Sequence, residues 1–444
     1  MADEGKGRHR AVPSSRLGRI GGFGRLAGGV AGGMMAEGAR RLASGERPTL
    51  EQIMLTPGNA RRLADRLGHM RGAAMKLGQM ISMDAGDFLP PELATILASL
   101  RDRADFMPAR QLDSVLAKEW GKDWRRQFRR FEPRPIAAAS IGQVHRAVTR
   151  DDRTLAVKVQ YPGIAASIDA DVDNVAGLLK ISGLLPKGLD IAPLLAAAKE
   201  QLHEEADYRR EGAQMQAYAD RLSGEQGFTV PTMDEDLSTG RILAMSYEDG
   251  VPIESLQDAS QAMRNDVMAR LIDLVGRELF EFGVMQTDPN FANYRYNHEN
   301  DTIVLLDFGA AREITSQVRA SYRGLLQAGL AGDRDAVRRA AVSSGFVAEA
   351  AVAAHGQRID RMIDIILAEM NAKGPFNFGD RAFVPVIREE GTAIARDRAS
   401  WHLPPTDTLF VQRKISGTAL LAARLQAVVN VRDIVSEILQ RTSE

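Results

Sequence analysis

Asp288-Pro289-Asn290-Phe291-Ala292-Asn293, followed fourteen residues later by Asp307-Phe308-Gly309, is the stretch on which the fold turns. An aspartate, an asparagine five residues on and a second aspartate downstream form the donor set of a phosphoryl-transfer centre of the kinase type. One carboxylate serves the attacking oxygen, and an amide with a second carboxylate serves magnesium. Asp288 is therefore the candidate for orienting, or taking a proton from, an attacking hydroxyl or water. Asn293 and Asp307 are the candidate magnesium ligands, and Gly309 permits a sharp turn after the second of them.

Such a centre also needs a cation on the nucleotide phosphates. Leu155, Val157 and Val159 alternate as on a strand with one buried face, and Lys158 lies among them. Upstream, IAAASIGQVHRAV and the charged turn TRDDRT complete a hairpin, which places Val144 fourteen residues before Lys158, the separation that returns the lysine beneath the hairpin loop. That loop is Ala137-Ala138-Ala139-Ser140-Ile141-Gly142. Phosphate-covering loops are usually glycine-rich, because bare backbone approaches oxygens closely and offers its N–H groups. Alanine methyls narrow the accessible backbone conformations, so this loop should be stiff and should bind nucleotide with altered phosphate positioning. Pro133 and Pro135 argue against reading the alanines as helix.

Residues 191–222 read as one long helix containing His203-Glu-Glu-Ala-Asp-Tyr-Arg-Arg-Glu211. A lysine under ATP needs a carboxylate on a facing helix, and Glu211 is assigned to Lys158. Glu205 and Asp207, on opposite sides of such a helix, are free to hold something else or are an acidic flank. After Pro231, Arg241–Gly250 reads as a strand entering a turn, where Met245, Ser246, Tyr247 and Glu248 are positioned for the adenine edge.

Two absences narrow the substrate. Gln286 stands two residues before Asp288 where a protein kinase has histidine, and no A-P-E triplet follows Phe308. A helical stripe of Ile314, Val318, Tyr322 and Leu325 begins almost at once, leaving no long activation segment on which a peptide could dock.

With 444 residues, 44% of them hydrophobic, the chain can build two or three compact units. Lysine and arginine number 57 against 58 acidic residues, so no global charge favours nucleic acid. The absence of cysteine excludes disulfides, thiolate metal sites and a thiol nucleophile, and the seven histidines lack metal-ligand spacing. No apolar run reaches spanning length, and MADEGKGRHR lacks a secretory core. A cytosolic protein able to touch a membrane is expected.

In residues 1–50, nine basic side chains oppose four acidic ones, which suits an anionic surface. Gly24, Gly28 and Gly32 repeat in GGFGRLAGGVAGGMM, so this segment is either a flexible leader or a close-packing helix ordered by a bilayer or by a second copy in a homodimer. From Thr56 to Ser82, Leu63, Leu67, Met70, Ala74, Leu77 and Ile81 form a helix stripe, with Lys76 and Gln79 three apart beside it. Taken alone, that polar pair is solvated surface.

With these motifs in place, the chain resembles the UbiB family of atypical kinases, most closely its ubiquinone-biosynthesis branch. RGAAMKLGQM resembles the family's K-x-G-Q signature, AAASIGQVHRA its alanine-rich loop, EEADYRRE its E-x-D motif, and VMQTDPNFANY with LLDFGAARE its catalytic and metal loops. The resemblance implies an α+β, bilobed protein-kinase-like fold with an N-terminal helical extension covering the active-site cleft. It divides the chain into a leader (1–50), the extension (51–130), an N-lobe (131–245) and a helical C-lobe (246–444). It also implies that Lys76 and Gln79 reach into the active site, that Glu205 or Asp207 meets Lys76, and that ATP or ADP binds with Mg2+. The implied partners are quinone-precursor lipid, membranes and other ubiquinone-biosynthesis proteins. The implied function is ATP hydrolysis supporting ubiquinone biosynthesis. A small-molecule or lipid kinase uses the same Asp288, Asn293 and Asp307 but leaves the Lys76 motif unexplained, and a nucleotide-gated scaffold could have lost Lys158 and all three.

Overall fold

Leu155, Val157 and Val159 are all buried along the strand Thr154–Gln160, so the alternation read from the sequence does face a core. The computed structural model describes residues 106–181, 192–395, 397 and 404–442. The leader and the 56–82 stripe, with Lys76 and Gln79, lie outside the described residues. Two compact units make up the chain: one runs through Ala213 and takes in Thr232–Tyr247, and the other comprises Gln214–Pro231 and Glu248 onward.

The first unit is built on an antiparallel sheet ordered Phe128–Phe131, Gly142–Thr149, Thr154–Gln160, Ile242–Ser246, with Ala137–Ala138 pairing onto Gly142–Thr149. The charged turn closes with Asp152 at a positive φ of 64°, a conformation aspartate tolerates better than most side chains. Ahead of the sheet, the helix Ala109–Trp120 buries Leu112, Val115 and Leu116, the three- and four-residue spacing of one helix face. Trp120, Trp124, Phe128 and Phe131 then form a tilted and edge-to-face cluster with ring centroids 5.0–6.3 Å apart.

The single helix expected over 191–222 is two helices, Ala192–Glu205 and Tyr208–Arg221. The cause is local. Asp207 Oδ1 accepts from the backbone N–H of Arg209 and of Arg210, each at 3.1 Å, which caps the second helix and ends the first. Short acidic side chains compete with the helix ladder for these donors, and here the cap wins.

The second unit is mainly helical. Gln261–Arg277, capped by Ser260, buries Val267, Met268, Leu271, Leu274 and Val275, then loosens into a π-turn over Glu278–Phe282. Its core gathers Val275, Leu279, Phe280, Met285, Ile314, Val318, Tyr322, Val411, Ile438 and Leu439. The expected stripe after Phe308 is the helix Ser316–Ala331, with Ile314 just ahead of it. Glu349–Met370 and Val384–Ala395 pack around a smaller cluster of Ala351, Ile359, Ile363 and Leu367. The C-terminal helices Thr406–Arg424 and Val431–Arg441 both contribute to the main core. Among the described residues no helix is long and apolar enough to cross a membrane.

Candidate active site

In the first unit, Lys158 Nζ donates to both oxygens of Glu211, at 2.7 and 2.9 Å. Both side chains are buried, and the ammonium lies 5.3 Å from the centroid of the Tyr208 ring. The helix cap at Asp207 makes this possible. It puts Glu211 in the first turn of Tyr208–Arg221, where a carboxylate also benefits from the helix dipole.

The alanine-rich segment is a short hairpin. Ala137 pairs with Val144 and Val144 with Lys158, so the lysine lies two strands in from the loop, as its spacing predicted. Ala139 N donates to Gly142 O (2.9 Å); Ala137 and Ala138 are exposed and Ala139 is half-buried. Ile141 is buried, and its carbonyl accepts from Tyr161 N (2.9 Å). Ser140 Oγ donates to Glu205 Oε2 at 2.6 Å. Gly142 admits no side chain: an added Cβ would lie 2.5 Å from Val159 O and 2.7 Å from Tyr208 OH. The loop is thus fastened at its strand base, at Ile141 and at Ser140, and glycine appears only where backbone and ring leave no room.

Sequence reasoning missed a buried relay beside this loop. Met107 N donates to Gln143 Oε1 (2.7 Å), which turns the amide so that its Nε2 donates to His145 Nε2 (2.8 Å), leaving His145 Nδ1 to donate to Glu132 O (2.8 Å). The ring is therefore neutral, and burial pushes its pKa down to about 4, against the opposing hydrogen bond to Glu132. Gln143 and His145, alternating on the buried face of their strand, were the available signal.

The adenine-edge candidates fall at the end of a strand. Met245 pairs with Ala156 and bridges to Met233, Ser246 N donates to Thr232 O (2.8 Å), and Tyr247 N donates to Thr154 O (3.0 Å). Glu248 belongs to the second unit and is half-buried.

In the second unit, two strand pairs bring the candidate catalytic and metal residues together. Tyr294–Asn297 runs antiparallel to Thr302–Leu305 with Tyr294 opposite Leu305, and Leu306 N donates to Asn293 O at 3.0 Å. Val284–Gln286 pairs with Ala311–Glu313, and Thr287 gives both its N–H (3.1 Å) and its hydroxyl (2.9 Å) to Ala310 O. Asp288, Asn293 and Asp307 thereby emerge at one end of the paired strands, all three partly exposed. Asp307 Oδ1 accepts from Gly309 N (3.0 Å), Asn290 Oδ1 accepts from Ala292 N (3.1 Å), and Phe308 is buried against Tyr218 with centroids 5.0 Å apart. An amide and a carboxylate on adjoining, mutually bonded loops fit magnesium, a hard cation that takes few protein oxygens and completes its shell with phosphate oxygens and water.

Residues 99–341 match the ABC1 atypical kinase-like domain. Over 98% of its length the chain is 38% identical to the protein named "Atypical kinase COQ8B, mitochondrial" from Rattus norvegicus, covering 83% of it. "Atypical kinase COQ8, mitochondrial" from Saccharomyces cerevisiae is 35% identical over 96% of this chain and 85% of its own length. Among solved structures, the complex of Rv3197 with erythromycin from Mycobacterium tuberculosis has a similar fold, with a TM-score of 0.59 and 24% identity over 86% of this chain and 95% of that one.

Proposed function

The chain belongs to the ABC1, or UbiB, family of ATP-dependent atypical kinases, and from that membership we propose that it binds Mg-ATP and hydrolyses it in support of coenzyme Q biosynthesis. In this reading Lys158, held extended by Glu211, grips the nucleotide phosphates. Asp288 orients, or accepts the proton of, the attacking water or hydroxyl. Asn293 and Asp307 would hold magnesium, which when bound neutralises charge on the phosphate oxygens. Lys76 and Gln79 reach the active site, with Glu205 or Asp207 as the partner of Lys76. The fastened alanine loop sets the placement of the phosphates, and Met245 to Glu248 meet the adenine edge.

The observation that carries the reading is the intact lysine–glutamate pair together with Asp288, Asn293 and Asp307 gathered at one end of paired strands. The short path from Asp307 to the Ser316–Ala331 helix supports a substrate other than a peptide, since no activation segment intervenes. Hydrolysis then couples to quinone-precursor lipid at the inner membrane, where the protein sits peripherally beside other biosynthetic proteins. The same residues could instead pass the γ-phosphoryl group to a lipid hydroxyl.

Phosphate release measured with and without anionic liposomes and a hydroxylated aromatic quinone-precursor mimic tests this. The reading expects release to rise with both additions and to vanish in Asp307→Asn. A rate indifferent to both additions and to Asp307→Asn refutes it, and labelled phosphate appearing on the mimic replaces hydrolysis by phosphotransfer.

A further inference from the structure

A charged pair is buried in the second unit where no catalytic reading requires one. Lys414, on the Thr406–Arg424 helix, and Glu278, in the π-turn, are both almost fully buried and lie 3.2 Å apart, Nζ to Oε2. Lys414 Nζ also donates to Tyr294 OH at 2.8 Å. Glu278 Oε1 accepts from Tyr218 OH at 2.9 Å and from Gln286 N at 3.3 Å. Desolvation alone would lower the lysine pKa, but Glu278 and Tyr294 together hold it above the ordinary lysine range.

Every branch of this network ends beside a residue of the phosphate chemistry. Tyr294 follows Asn293 directly, Gln286 is two residues before Asp288, and Tyr218 packs on Phe308, the neighbour of Asp307. A second contact comes from the same helix face: Gly417, three residues after Lys414, lies against Pro289, so closely that an added Cβ would stand 2.1 Å from Pro289 Cβ. The helix therefore touches the Asp288–Asn293 loop at Pro289 and the residue that follows the loop, Tyr294. Well-packed apolar residues commonly replace buried ion pairs without loss of stability, so core packing alone does not call for a lysine here.

We propose that the Thr406–Arg424 helix is the template for the metal-binding loops and that Lys414 is its positioning residue, acting through Tyr294 and Glu278 on Asn293, Asp288 and Asp307. The assignment rests on the nucleotide reading above and adds a residue more than a hundred positions from the loop it serves.

The test uses the full chain and a fluorescent ADP analogue titrated with magnesium, alongside a magnesium-free titration in EDTA and a melting curve. Lys414→Met would leave Glu278 buried without its cation, so the paired change Lys414→Met/Glu278→Gln is the informative variant. It is expected to bind nucleotide in EDTA as the natural chain does. The magnesium concentration for half-maximal enhancement should rise about tenfold, the scale on which groups supporting metal ligands act, and kcat should fall at saturating nucleotide with little change in KM. Tyr294→Phe removes only the hydroxyl that Lys414 reaches and should give a smaller shift in the same direction, which keeps the question open to test should the paired variant not fold. Wild-type magnesium dependence in the foldable variants overturns the assignment and leaves the nucleotide reading standing. Equal loss of EDTA and magnesium binding also overturns it, because general damage would then explain the effect. A natural chain whose nucleotide binding ignores magnesium removes the nucleotide reading itself, and this assignment with it.

Discussion

Replacing Lys158 by methionine should destabilise the first unit more than it removes packing, because of what it leaves behind. Methionine nearly matches the lysine stem in length, so the apolar contacts persist. What goes is the ammonium bonded at 2.7 and 2.9 Å to the two oxygens of Glu211, a side chain only 1% exposed. Removing one partner of a buried ion pair costs about 3–5 kcal/mol, which for a compact unit of this size is on the order of 10 °C in melting temperature. Glu211→Gln alone should cost less, since the ammonium keeps the Tyr208 ring 5.3 Å away and a neutral amide acceptor. The double variant Lys158→Met/Glu211→Gln should then recover much of the loss, to within about 2 kcal/mol of the natural chain. Urea denaturation of the four proteins measures the coupling directly. A double variant as unstable as Lys158→Met would show that the penalty comes from somewhere other than the broken Lys158–Glu211 pair.

Acidification should destabilise the fold through His145. Its folded pKa, about 4, lies below the ordinary histidine value of 6.5, so the unfolded chain takes up a proton that the folded chain refuses. Stability from this group is full above about pH 6.5 and drains by about 3 kcal/mol as pH falls toward 4; His145→Gln should flatten that part of a stability–pH curve. Asp207→Ala removes the cap of the Tyr208–Arg221 helix and should cost about 1 kcal/mol, seen as a lower urea midpoint with unchanged slope. Ala139→Gly widens the conformations open to the loop tip, and the expected result is a changed ratio of ADP to ATP affinity by calorimetry; an unchanged ratio would undo the claim that loop stiffness sets nucleotide preference.

Local patterns carried much of the fold. The alternation around Lys158, the turn at Asp151 and Asp152, the strands after Asn293 and the helix after Phe308 are all dictated by side chains a few residues apart, and each forms where its pattern lies. The pairing of Lys158 with Glu211 was legible because a buried lysine on a strand needs an anion and a helix offered one at the right face. The break at Asp207 was not, since cap and helix interior compete over less than 2 kcal/mol and tertiary packing decides between them. The arrival of Met107 at Gln143 and the Lys414–Glu278 pair were not legible either, because each joins residues 36 or more positions apart and the chain between them gives no hint of the meeting.

The proposed function depends on Asn293 and Asp307 holding a divalent cation beside bound nucleotide. Crystals grown with a non-hydrolysable ATP analogue and Mn2+, examined by anomalous scattering, address it most directly. The account predicts a metal peak about 2.0–2.3 Å from the side-chain oxygens of Asn293 and Asp307, with Lys158 Nζ on a phosphate oxygen of the same nucleotide. An ordered nucleotide whose metal touches neither side chain would contradict it.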